Sequence, residues 1–121
     1  MGIKRFSLFL GLLLSASAAM AAKPPLAEMA AARAAVDRAT AADAEHLAPV
    51  EWQFAESKLS LAELALKDKN HALAAKLATE AGIDAELAEV RARGARLRRE
   101  VDKKTEANQA LRAELLDRGA P

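Results

Sequence analysis

The chain has 121 residues, 52% of them hydrophobic but only 3% aromatic, with a formal net charge of +1 and no cysteine. That length allows one small domain. The missing cysteines exclude any disulfide framework, and near-balanced charge gives the chain as a whole no reason to seek a polyanion. Alanine, leucine, glutamate, lysine and arginine dominate, which favours helix throughout and strand almost nowhere.

In chain order, Lys4 and Arg5 form a positive start, Phe6 to Leu14 an apolar run broken only by Ser7 and Gly11, and Ala19-Met20-Ala21 a small-residue cleavage site. That order predicts a secretory signal peptide over 1–21. The run is short against the roughly 20 apolar residues of a transmembrane helix. A retained N-terminal anchor is the alternative, and Ala16-Ser17-Ala18 offers an earlier cut. A cut after Ala21 leaves Lys23-Pro24-Pro25 as an extended leader. The expectation is a soluble periplasmic protein, with no cysteine at the cleavage site to carry a lipid.

A first helix is expected from near Pro25, since proline suits the first turn, to just before Pro49, which pushes its predecessor out of helical geometry. Leu26, Met29, Val36 and Leu47 mark its apolar side. A second helix is expected over Pro49 to Lys67 with two apolar stripes. Ala55, Leu59, Ala62 and Leu66 form one; Phe54, Leu61 and Leu64 form the other, with Trp52 near its start. Two apolar sides predict that this helix is the sandwiched, middle one. After the turn Lys67-Asp68-Lys69-Asn70, Asn70 is a suitable N-cap. No proline then interrupts the chain until Pro121, so a third helix can run to about Asp117, a rod of about 70 Å. The fold expected is all-α: a three-helix up-down-up antiparallel arrangement over 22–95, with the third helix extending as a coiled coil over 96–121.

That third helix carries a heptad pattern. Leu87, Gly94, Val101, Asn108 and Leu115 fall on one position; Ile83, Val90, Leu97, Lys104 and Leu111 fall on the other. Alternating steps of four and three make a narrow seam. Gly94 costs about 1 kcal/mol relative to alanine, and Lys104 and Asn108 are polar seam residues of the kind that set register. Ile83, Leu87, Val90, Leu97, Val101, Asn108, Leu111 and Leu115 are therefore the candidate association seam. A solvated helix end with accidental periodicity is the competing reading.

Charge is unevenly spread. Residues 22–90 hold seven basic and twelve acidic side chains, whereas Arg91 to Lys104 holds seven basic and two acidic. Arg91, Arg96, Arg98 and Arg99 are candidate contacts for an anionic surface. The arginines surround the helix, though, and no aromatic residue lies among them for base stacking. In an exported protein this excludes nucleic acid as the expected partner.

Pro25 to Ala95 resembles the domain of unknown function 4398 family of small bacterial envelope proteins. The resemblance rests on "AARAAVDRATAADAEHLAPVEWQFAESKLSLAELAL" and "NHALAAKLATEAGIDAELAEVRAR". The Ala-Pro turn is Ala48-Pro49. The A-x-x-K-L helix is Ala55-Lys58-Leu59, and the following helix carries Leu77-Ala78, Ala81, Asp84-Ala85 and Leu87-Ala88. Leu47 stands where members commonly have a tyrosine. The resemblance implies an α-helical secreted or membrane-anchored domain, of a kind often found ahead of an outer-membrane-protein-A-like domain, and implies no activity. The second and third helices also look like one tetratricopeptide-type hairpin, but a repeat stack needs about three units.

Chemistry is poorly represented. No H-E-x-x-H, phosphate-loop or serine-nucleophile motif occurs. His46 and His71 sit on turns expected at opposite ends, which speaks against a shared metal site. Glu80 and Asp84 share a helix face more suited to solvent than to acid–base work, and Trp52 reads as core. The expectation is a non-enzymatic periplasmic scaffold or adaptor without a cofactor. It would pack against itself or another envelope protein, with an anionic envelope surface as the alternative partner.

Overall fold

The computed structural model describes residues 23–119, which are helical nearly throughout and contain no strand. The signal peptide read over 1–21 lies outside the described residues. Four helices follow in order: α1 Leu26–Ala41, α2 Ala44–Leu47, α3 Pro49–Lys67 and α4 His71–Gly119.

The first expected helix is split. It stops at Ala41, well short of Pro49, because Asp43 adopts the left-handed conformation at φ 65°. Aspartate is one of the few residues that visits this region readily. Its carbonyl then accepts the Leu47 N–H at 3.0 Å, which starts the single turn of α2. Nothing in the Ala-Ala-Asp-Ala run marks this break. The other boundaries follow their signals. Pro49 occupies the first turn of α3. The α3–α4 turn has Lys69 at φ 58°, and Asn70 Oδ1 accepts the Leu73 N–H at 3.2 Å, the cap its side chain suggests.

The core is made of alanine. Ala74, Ala78, Ala81, Ala85, Ala88 and Ala92 form one buried stripe along α4. It meets Ala32, Ala35, Val36 and Ala39 of α1, and Ala55, Ala62 and Ala65 of α3. Met29 is the one large side chain that is fully buried among the described residues. Alanine faces let helices approach toward the near end of the usual 8–10 Å axial separation. At Gly82 a Cβ would sit 3.9 Å from Ala32 Cα, so the α1 and α4 backbones come close there.

This packing corrects the expected order of layers. The middle element is α4, not α3, because both α1 and α3 pack chiefly on α4 and touch each other much less. The second α3 stripe is accordingly uncovered: Phe54, Leu61 and Leu64 are exposed, as are Val50 and Leu26. The stripe that Ala55, Leu59, Ala62 and Leu66 mark does face inward, with Leu59 and Leu66 half-buried against the alanines.

Ion pairs record how the helices are aligned. Arg38 of α1 reaches Glu89 at 3.4 Å, and Arg96 donates to the Ala42 carbonyl at 3.0 Å, so numbering rises together along α1 and α4. Lys58 reaches Asp84 at 2.7 Å and Glu51 pairs with Arg91, so numbering on α3 rises as that on α4 falls. Burial ends just past Ala92: every described residue from Arg96 onward is exposed. At 1.5 Å per residue, the part of α4 beyond the other helices projects about 35 Å.

Candidate interaction surface

The seam lies on the back of α4. At about 100° per residue, Ile83, Leu87, Val90, Leu97 and Val101 point roughly opposite the alanine stripe. Two apolar faces therefore share one helix. Alanine serves the internal face, where backbones must come close; larger aliphatic residues mark the external one. Ile83 is 60% exposed, Leu97 62% and Leu115 59%; Leu87, Val90, Val101 and Leu111 are exposed too. The strip stays uncovered even where α1 and α3 flank the helix. Asn108 and Lys104 are exposed within the same line. Monomeric proteins seldom leave a large contiguous apolar patch in water unless it receives something.

The basic stretch is partly absorbed by the fold. Arg91 pairs with Glu51 of α3. Arg96 caps the C-terminal end of α1 through the Ala42 carbonyl, where a cation also complements the helix dipole. Arg93 and Arg38 both pair with Glu89, the buried charged residue of α4. A buried carboxylate needs such partners. Only the Glu89–Arg93 spacing announces this cluster in sequence; the contribution of Arg38 comes from α1. Arg98 and Arg99 stand exposed beyond the bundle with no acidic partner among the described residues. Of the four candidate anion contacts, Arg91 and Arg96 thus have internal roles, and Arg98 and Arg99 do not.

Other residues singled out from sequence fall in structural positions. Glu80 and Asp84 clamp Lys58, and the bond to Asp84 raises the lysine pKa above its ordinary value. Trp52 is half-buried on the alanine core and donates from Nε1 to Thr40 Oγ1 at 3.1 Å. His46 lies 2.7 Å from Asp43 Oδ1, and that hydrogen bond raises its pKa above 6.5. Among the described residues, no group of three or more His, Cys, Asp and Glu is placed to hold a metal ion. Nor is any helix among them long and apolar enough to cross a membrane.

The architecture defines a class: a small all-helical protein with an alanine core and an aliphatic strip on its longest helix. Residues 27–104 match the family described as Domain of unknown function (DUF4398), and the chain belongs to that family. The curated proteins and the solved structures gave no match.

Proposed function

We propose that this protein is a non-enzymatic helical scaffold or adaptor of the periplasm. In this reading, the domain read over 22–95 is an up-down-up helical bundle, and beyond it α4 continues to Gly119 as a coiled-coil arm. The observation that carries it is the uncovered strip from Ile83 to Leu115 on the back of α4. Its period is that of a coiled-coil seam, and it spans more than the three or four heptads asked of one. The occupant is a helix of the same chain or of another envelope protein. The periplasmic setting rests on the leader sequence read over 1–21.

The test is sedimentation velocity of residues 22–121 at low and high salt. A species larger than a monomer at both salts supports self-association. A monomer at both turns the search to crosslinking of other envelope proteins, and recovery of none would sink the reading.

Arg98 and Arg99 support a second reading, a contact with anionic head groups or an acidic cell-wall surface. It predicts binding to anionic vesicles that falls as salt rises. No binding at low salt would remove it.

A further inference from the structure

We infer that the strip is occupied by a second copy of the same chain, running antiparallel and offset so that each projecting arm lies along the bundle of the other. This rests on the scaffold reading above and names its partner.

The first observation is a pair of stripes that share one side. Arg33–Glu63 and Thr40–Trp52 mark the side of α3 that faces α1. Val50, Phe54, Leu61 and Leu64 are exposed on the side turned away from it. The α4 strip also faces away from the alanine stripe that α1 and α3 cover. The register of Lys58–Asp84 and Glu51–Arg91 sets Phe54 level with Leu87. The α3–α4 pair therefore offers a trough with two apolar walls, the α3 wall running from Val50 to Leu64, or about 22 Å. The arm that projects beyond the bundle is about 35 Å long. It carries Leu97, Val101 and Leu111, all exposed.

The second observation is charge, which decides direction and offset. A parallel in-register pair sets Arg91 to Lys104 against its own copy. An antiparallel pair centred on the strip also superposes the two basic stretches, and puts Lys104 opposite Gly94. Like charges across an interface oppose association. Sliding the antiparallel pair by two heptads keeps the seam in register and changes the partners. Leu97 then faces Leu87, Val101 faces Ile83, Gly94 faces Val90 and Leu111 faces Leu73. Lys104 faces Glu80, and Asn108 faces Lys76. The basic stretch now lies beside Glu80 and Glu86, which keep carboxylate surface in solvent, while Asp84 stays with Lys58 and Glu89 with Arg38 and Arg93. Leu73, exposed and outside the seam as read from the sequence, gains an apolar partner. The arrangement is a closed two-fold pair in which both copies use the same surface.

Cysteine crosslinking reads the register directly, because the chain has no cysteine of its own. Facing seam positions bring Cβ atoms into disulfide range. A mixture of full-length Leu87→Cys and Leu97→Cys chains should give a disulfide heterodimer as the main product. Leu97→Cys alone crosslinking to itself would mean a parallel pair. Leu97→Cys crosslinking mainly to Val101→Cys would mean the centred pair. Either outcome overturns the offset while leaving self-association intact. A monomer by sedimentation at every salt overturns the inference but leaves a scaffold with a different partner. Phe54→Asp, at an exposed site outside the core, should weaken the dimer by about thirtyfold or more, because the two-fold pair loses the apolar wall contact twice. An unchanged dimer would remove the α3 wall. Association that tightens as salt rises would place the basic stretches against each other and refute the register.

Discussion

Leu97→Asp separates the role of the strip from the stability of the fold. Leu97 is 62% exposed and lies beyond the last buried residue of α4. Full burial of a leucine side chain contributes about 1.5–3 kcal/mol. The portion shielded in the single chain corresponds to about 1 kcal/mol or less by the same scale. Melting of the bundle should therefore change by only a degree or two. Covering the exposed portion in a complex contributes about 1–2 kcal/mol per copy. In a symmetric pair the loss is doubled, to about 2–4 kcal/mol, or about 30- to 1,000-fold in dissociation constant. Burying the new carboxylate adds to that loss. Sedimentation equilibrium across a concentration series measures the constant, and circular dichroism of the same samples measures the melt. Equal loss of helix throughout the chain would mean that Leu97 supports the fold, and the separation of the two faces of α4 would be wrong. An unchanged dissociation constant would mean that Leu97 is not in the interface.

Three further outcomes follow from the packing. Ala85→Leu places a large side chain where the α4 stripe is fully buried. Overpacking of a tight core costs about 1–3 kcal/mol, read as a lower urea midpoint; an unchanged midpoint would mean the helices are not in close contact. Arg96→Ala removes the donor to the Ala42 carbonyl and should destabilise by about 1 kcal/mol, in the range of a charged hydrogen bond at a helix end. Arg99→Ala, which removes no contact of this kind, should leave the melt unchanged; equal effects would cancel the capping role. His46 should titrate above 6.5 because Asp43 bonds it. A folded-state pKa above the unfolded value stabilises the corner below the unfolded pKa and loses that stability as pH rises through the folded one. An NMR titration reads the shift, and Asp43→Asn should abolish it; an Asp43→Asn histidine that still titrates high would assign the cause elsewhere.

The sequence by itself determined the helical class, the α3 and α4 boundaries and the line of the strip. These depend on local chemistry: helix propensity, Pro49 at a first turn, Asn70 as a cap, and the step of four and three from Ile83 to Leu115. Leu97 and Val101 were legible because a heptad is visible within one helix. What covers each face was a tertiary matter. Alanine is a good helix former anywhere, so the Ala74-to-Ala92 stripe does not declare that it, and not the larger stripes of α3, organises the core. Its meaning comes from close approach of α1 and α3, which only small side chains permit. The same packing decided that Phe54, Leu61 and Leu64 stay in water. It also drew Arg91 and Arg96 into internal contacts across α3 and α1 while leaving Arg98 and Arg99 exposed. The break at Asp43 belongs here too, since a left-handed aspartate holds only where the chain must turn from α1 onto α3. Local signals read one helix at a time; the pairing of faces depends on residues distant in sequence, and the fold alone brings those together.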